Sequence, residues 1–345
     1  MLDWSTQRVI VTGGAGFLGR AVVAVLRARG VSDERMVVPR AAQCDLRRPE
    51  EARRLVAGAA HDAGNAGGVV VVHSAGLVGG LGLNRARPAD MLHDNLLMGL
   101  NVIAAAAGVM RADTDSLAKP QESVAQRVAQ PGAGIKVVIV GSMTSYPASA
   151  PLPYREESLF GGLPDPEIAA YGVAKLGLLA ALRAYHTQYG LPSAFPILVN
   201  LYGPGDNVDD PLKSHAAGAI MKRFVDAARA RATEVVCWGT GAPTRDFLFV
   251  DDAAEGVVRC AEEIDDASPI NIASGQETSI KSLSETIARH AGYTGRIVWE
   301  ASKGDGVGRR CLDITRARTR LNWSPRVPLD EGMRRTVEWY RQRRG

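Results

Sequence analysis

Gln7-Arg8-Val9-Ile10-Val11-Thr12-Gly13-Gly14-Ala15-Gly16-Phe17-Leu18-Gly19 is the stretch on which the reading of this chain turns. Gln7 to Thr12 is short and β-rich. The glycines at 13, 16 and 19 break it, and Arg20 to Arg29 then carries apolar residues at helical spacing as far as Gly30. Glycine-rich loops are common. One that sits between a strand and a helix near the N-terminus has the setting a phosphate cradle needs, whereas an ordinary glycine turn does not require it. Without Cβ atoms the main chain can turn tightly and approach a pyrophosphate. The helix start offers unbonded N–H groups and a partial positive charge. Gly13, Gly16, Phe17, Leu18 and Gly19 are therefore candidate dinucleotide contacts.

Strand and helix alternate outward from this loop. Val37-Val38 predicts a second strand, Glu50 to Gly58 a helix, and the continuous apolar run Val69 to His73 a buried parallel strand. Asp90 to Ala107 is a long helical stretch, Lys136 to Val140 another buried strand, Tyr171 to Tyr189 a helix and Ser193 to Asn200 a further strand. Such alternation predicts an α/β fold, a doubly wound parallel Rossmann sheet, over residues 1–202. Residues 111–134 are polar and read as a surface insertion. After Tyr202 the regularity ends, and a helix near Ala216 to Arg229 lies among turns and short strands. Residues 203–345 read as a smaller, interleaved substrate-binding α/β region, with segments near 243–262 returning to the sheet.

Composition bounds the function. In 345 residues, 46% are hydrophobic and 23% charged, which is ordinary globular usage, and the net charge of +4 is too small to mark a nucleic-acid protein. Cys44, Cys237, Cys260 and Cys311 form no CxxC pair and read as reduced thiols of a cytoplasmic protein. No unbroken apolar run reaches a bilayer span, and the chain enters a strand too soon for a secretory leader to be expected. No metal cluster is expected.

The choice of dinucleotide rests on the end of the second strand. Sites for NAD place an acidic residue there for the ribose 2′-OH. Here the run is Val38-Pro39-Arg40-Ala41, and Arg40 favours a 2′-phosphate, hence NADP, with NAD the alternative; a solvated surface arginine is the plain reading. Within Cys44-Asp45-Leu46, Asp45 is a candidate for the adenine amino group, with Leu46 beside it, or else a helix cap.

Tyr171 and Lys175, four residues apart, share one face of a predicted helix. A free phenol has a pKa near 10, too high to carry protons at neutral pH. A neighbouring ammonium and a positive nicotinamide would lower it. Ser142 ends the preceding strand, at the rim where open α/β sheets bind ligands, and its hydroxyl can bond the substrate oxygen.

These residues identify a resemblance to the extended short-chain dehydrogenases/reductases that spans nearly the whole chain. It includes TGGAGFLG, His73-Ser74-Ala75-Gly76, Asn95, Ser142, Tyr171-xxx-Lys175, Asn200-Leu201-Tyr202-Gly203-Pro204 and Arg245-Asp246-Phe247. The resemblance implies that Ser74, Ala75, Gly76, Asn95 and Lys175 line the cofactor. Gly79-Gly80, Ser145-Tyr146-Pro147, Asp206-Asn207, Ser214-His215 and Val236-Cys237-Trp238-Gly239 are similar in particular to the GDP-L-fucose synthases. Members of that family epimerise a GDP-4-keto-6-deoxy sugar at C3 and C5 and then reduce the ketone with NADPH. By resemblance, His215 matches the epimerisation acid, and Asn200, Lys222, Arg223, Trp238 and Arg245 fall where the nucleotide sugar is held. Taken alone, His215 is a structural or exposed histidine, Trp238 a core aromatic and Arg245 a surface ion-pair partner.

Two departures stand out. Thr144 occupies the place of the family's cysteine base, and a hydroxyl is too weakly acidic to exchange protons at carbon unaided. Ala15 replaces an arginine that many members carry in the loop. The resemblance implies 4-keto reduction of a nucleotide sugar with or without epimerisation, in a homodimer that binds neither nucleic acid nor membrane. A nucleotide-sugar 4-epimerase with retained NAD, and a non-catalytic dinucleotide-binding sensor or scaffold, are the competing readings. A 4,6-dehydratase is disfavoured, because Met143-Thr144 stands where those enzymes carry Asp-Glu.

Overall fold

The computed structural model describes residues 2–64, 67–115, 134–210, 212, 214–306 and 308–344. Its centre is a parallel sheet of β1 (Arg8–Thr12), β2 (Met36–Val37), β3 (Val69–His73), β4 (Ile135–Ile139), β6 (Ser193–Leu198) and β11 (Asp266–Ile272), in the order β11-β6-β4-β3-β1-β2. A short β5 (Gly141–Ser142) also pairs with β6. Every residue of β3 and β4 is buried, as apolar runs covered on both faces require. Helices supply the cover. α1 (Phe17–Ala28) packs on α7 (Val250–Glu263), while α4 (Pro88–Asp115) lies against both α2 (Pro49–Ala63) and α5 (Ala169–Tyr189). The strand order reverses at β1, which has β2 on one side and β3 on the other. Ligands of open α/β sheets bind in the crevice at such a switch point, beyond the carboxyl ends of the strands.

Element bounds differ from expectation in an informative way. α1 starts at Phe17 rather than Arg20, because the glycine turn closes within Gly13 to Gly16 (Gly16 N–H to the Gly13 carbonyl, 2.8 Å) and frees Phe17 to begin the helix. α2 runs five residues past Gly58, and α4 extends to Asp115, into the anticipated insertion; most of 111–134 lies outside the described residues. α4 is also, by length and composition, apolar enough to cross a membrane over Pro88–Arg111, although no unbroken apolar run is present. Its buried Asn95 is fully hydrogen-bonded and its faces meet α2 and α5.

Buried apolar side chains form two clusters. The larger surrounds the central sheet and takes in α7, β11 and the region of α9 (Thr315–Leu321) with Trp323. The smaller gathers α6 (Ala216–Arg229), α8 (Ile280–Ala291), α10 (Leu329–Arg344), β7 (Asn200–Tyr202) and the β8–β13 pair (Glu234–Trp238, Arg296–Glu300). β10 (Phe247–Phe249), which pairs with β7, belongs to both. Phe247 and Phe249 enter the smaller cluster and Leu248 the larger, as side chains alternate across a strand.

Candidate active site

The site grows from the ends of β1 and β3. Gly13 has φ 72°, and a Cβ there would lie 2.6 Å from the Ala75 nitrogen; a Cβ on Gly19 would overlap the Gly13 carbonyl oxygen. The two glycines therefore permit a contact that any side chain would block, and the N-terminus of α1 at Gly16 has no side-chain cap and no acidic residue in its first turn. That open, cation-like cradle fits a dinucleotide pyrophosphate through Gly13, Gly16, Phe17, Leu18 and Gly19. Ser74 Oγ donates to the Thr12 carbonyl at 2.8 Å, and Thr12 Oγ1 lies 2.8 Å from His73 Nδ1. Burial pulls His73 down to about 3, with the Lys175 charge acting in the same direction, so this imidazole is neutral. Asn95 holds the loop after β3 from behind: its Oδ1 accepts the Leu77 N–H at 3.0 Å and its Nδ2 donates to the Leu77 carbonyl at 3.1 Å. Gly76 lies against the same amide.

A cavity of about 300 Å³ opens beyond β2, lined by Val37, Val38, Pro39, Gln43, Cys44, Glu51, Arg54 and Leu55. Arg40 is exposed, next to this lining rather than in it. Asp45 does not cap a helix. The residue at that position of α2 is Arg48, which makes no side-chain cap bond, and the Asp45 carboxylate instead accepts from the Arg47 guanidinium at 2.9 Å, which holds it near 2. Leu46 is buried, and its carbonyl takes the Asn101 amide at 2.9 Å. A larger cavity, about 390 Å³, lies elsewhere, between Arg29, Glu255, Arg259 and Arg326, where Arg29 and Arg259 are already paired with glutamates.

Ser142 ends β5 and Thr144 lies in the turn after it, while Tyr171 and Lys175 lie near the start of α5, which packs against that turn. Lys175 Nζ stands 5.6 Å over the Tyr171 ring. The expected lowering of the phenol belongs to this ammonium acting together with a nicotinamide; in the protein alone the balance differs. Burial dominates both groups, pushing Tyr171 up and pulling Lys175 down to about 8. Gly172 lies so close to the Thr144 carbonyl that a Cβ would overlap it, which fixes the serine turn against the tyrosine helix.

The remaining candidates spread along the second half. His215 occupies the N-cap position of α6 without a side-chain cap bond, and burial lowers its pKa. Asn200 donates to the Asp246 carbonyl at 2.9 Å. Lys222 pairs with Asp226, and Arg223 donates to the Val236 carbonyl at 2.9 Å. Trp238 is 68% exposed, so it is not the core aromatic that composition suggests. Arg245 is no surface ion-pair partner: it is partly buried and donates to the carbonyls of Thr244 (2.7 Å) and Gly308 (3.4 Å). Burial and then the neighbouring Arg310 lower its pKa, as befits a cation beside another cation.

Sequence reasoning assigned no role of their own to three groups. Arg310 stands next to Arg245 and bonds Asp165 at 2.8 Å. Asp246 is fully buried and accepts from Ser274, Gly275 and Leu312, locking the Arg245 loop to two distant segments. Asp206 is buried with no partner for Oδ2, and burial raises it to about 6. Asp246 alone left a signal, an acid set against the apolar run Phe247 to Val250. Among the described residues no cluster with metal-ligand character occurs.

A glycine cradle at the switch point of a parallel sheet, with a half-buried tyrosine beside a buried lysine on the helix that packs at the strand ends, defines the class of dinucleotide-dependent α/β enzymes. Residues 9–273 match the model of the NAD dependent epimerase/dehydratase family. A probable GDP-L-fucose synthase 1 of Oryza sativa subsp. japonica is 34% identical, over 96% of this chain and 92% of that protein. The GDP-L-fucose synthase of Escherichia coli (strain K12) is 33% identical over 97% of each. A GDP-mannoheptose C4 reductase from Campylobacter jejuni, solved with NADP bound, shares the fold with a TM-score of 0.78 at 23% identity, over 99% of this chain and 100% of that one. This chain belongs to the NAD dependent epimerase/dehydratase family and, within it, aligns along nearly its full length with the GDP-L-fucose synthases.

Proposed function

We propose that this chain reduces the keto group at C4 of a nucleotide-linked sugar, with NADPH as the reductant. The observation that carries the reading is the buried Lys175 ammonium over the Tyr171 ring, at the rim that also presents Ser142. The cofactor supplies a hydride to the carbonyl carbon. Tyr171 delivers the proton to the oxygen that becomes a hydroxyl. Burial keeps Tyr171 protonated until substrate arrives, and the Lys175 ammonium, with the charge that grows on the nicotinamide as hydride leaves, offsets that burial so that the proton can be given up. Lys175 stabilises the phenolate left behind and holds the cofactor ribose, and Ser142 donates to the keto oxygen. Arg245 and Arg310, adjacent cations, suit the diphosphate of the substrate, with Asn200, Lys222, Arg223 and Trp238 toward the nucleotide and sugar. Arg40 and the absence of an acid at the end of β2 favour NADP over NAD.

The hydroxyl of Thr144 lacks the acidity for proton exchange at carbon, so the reading leaves C3 and C5 untouched, with His215 as a neutral polar wall of the site. Incubation with nucleotide-4-keto-sugars in D₂O, with and without NADPH, tests this. NADPH oxidation without deuterium at C3 or C5 is expected. Deuterium uptake at either carbon would restore epimerisation and make His215 its acid. Interconversion of C4 epimers by protein purified with tightly held NAD would favour the 4-epimerase. Binding of dinucleotide with no turnover, unchanged in Tyr171→Phe, would leave only a sensor or scaffold.

The same reading makes the protein a cytoplasmic homodimer that needs neither membrane nor nucleic acid. Its support is the small net charge and the outward faces of α4 and α5, where Leu100 and Val173 are exposed together with Ala104 and Ala180.

A further inference from the structure

We infer that Thr144 is a positioning residue that fixes the Ser142 hydroxyl as a hydrogen-bond donor to the keto oxygen; this rests on the reductase reading above. The geometry is local and specific. Thr144 Oγ1 lies 2.9 Å from Ser142 Oγ, and the Thr144 N–H donates to the same oxygen at 3.3 Å. Ser142 is the N-cap of the short turn Met143–Ser145, so its oxygen is held in place by the turn it starts.

A serine hydroxyl has one proton to give and two lone pairs to fill. A keto oxygen offers lone pairs only. With substrate present, Ser142 must therefore point its proton outward. The Thr144 hydroxyl and N–H then fill both lone pairs from behind. Donors on the oxygen polarise its O–H and remove the other rotamers, which presets the dipole where negative charge develops. A residue without a hydroxyl at 144 leaves one lone pair empty and lets the Ser142 proton turn inward.

Thr144 is also well placed to keep this geometry rigid. Its carbonyl oxygen is in tight contact with Gly172, the residue after Tyr171. The serine turn and the tyrosine helix thus meet through residue 144, and α5 packs directly against that turn. Ser142 and Tyr171 converge on one substrate oxygen, so the distance between their elements matters to both. The hydroxyl of residue 144 acts on this reading in the reduction step itself, through Ser142, without touching a carbon-bound proton.

The test is a double-mutant cycle of Thr144→Val and Ser142→Ala, with Thr144→Ser as the conservative variant. NADPH oxidation on a GDP-4-keto-6-deoxyhexose is followed, and NADPH affinity serves as the control for an intact fold. Thr144→Val is expected to lower kcat about tenfold, the rate equivalent of one hydrogen bond, with KM and NADPH affinity unchanged. Thr144→Ser should recover most of the loss. In the Ser142→Ala background Thr144→Val should do nothing further, because its effect runs through the serine. Additive losses, a change in KM alone, or a Thr144→Ser variant as slow as Thr144→Val would overturn the inference while leaving Ser142 in its role. Full turnover by Ser142→Ala would overturn it too, by removing Ser142 from the reduction, whereas no oxidation by the unaltered chain would instead overturn the reductase reading on which the inference stands.

Discussion

At the scale of single residues, burial decides what each titratable group can do. Tyr171 and Lys175 were legible as a pair from their spacing, but the direction of their shifts was not, because desolvation depends on what the whole fold lays over them. Tyr171→Phe should lower kcat by roughly 10²–10⁴ while NADPH still binds, measured by stopped-flow oxidation beside equilibrium titration. Lys175 loses its ammonium as the pH rises through about 8. NADPH affinity should therefore weaken between pH 7 and 9, and Lys175→Met should flatten that profile. Asp206 shows the opposite limit, since nothing in Gly205-Asp206-Asn207 announces an orphaned carboxylate oxygen. Its pKa of about 6 in the fold lies above the unfolded value near 4, so its favourable contribution is complete below about pH 4 and lost as the pH rises through about 6. Asp206→Asn should remove that slope and raise stability at pH 8 by roughly 2 kcal/mol in urea unfolding. Lower stability at pH 8 would mean that the charged form has a partner.

At the scale of elements, the βαβ start is the part the sequence states most directly. Strand, glycine loop and helix are contiguous, and the glycine spacing is set by contacts within that one unit. Gly19→Ala forces a Cβ into the Gly13 carbonyl and should destabilise the fold by ~2 kcal/mol and weaken NADPH binding at least about tenfold. The element that carries Arg245 was far less legible. Asp246 fixes it by accepting from residues 28 to 66 positions away, and separations of that kind leave no periodic trace. Asp246→Ala leaves these donors unmet and should cost about 3 kcal/mol, seen as a lower urea midpoint. Helix limits were misjudged for a simpler reason. The apolar spacing of α4 fades toward its ends, so the sequence marks only Asp90 to Ala107 of a helix that runs from Pro88 to Asp115.

At the scale of the whole molecule, two apolar clusters are tied together across the crevice. Arg20 donates to the Ala15 carbonyl at 2.8 Å and to the Gly205 carbonyl at 2.9 Å, linking the glycine loop to the segment that carries Asp206. Arg310 reaches Asp165, just ahead of the Tyr171 helix. The exposed apolar residues on α4 and α5 leave the proposed dimer face outside these ties. Leu100→Glu should give a monomer by sedimentation and leave NADPH binding intact. A dimer that persists would move the interface elsewhere.

By itself the sequence determined the parallel α/β class, the glycine turn between β1 and α1, and the placing of Ser142 at a strand end with Tyr171 and Lys175 one helical turn apart, because each depends on contiguous residues or on the fixed geometry of one strand or helix. Its departure at Thr144 was equally plain as a residue type. Only the tertiary structure decided what Thr144 touches, that Asp45 is occupied by Arg47, that Arg245 has a second cation rather than a carboxylate beside it, and that one oxygen of Asp206 is buried without a partner. Those are properties of desolvation and of contacts between segments far apart in the chain, and local spacing carries no record of either.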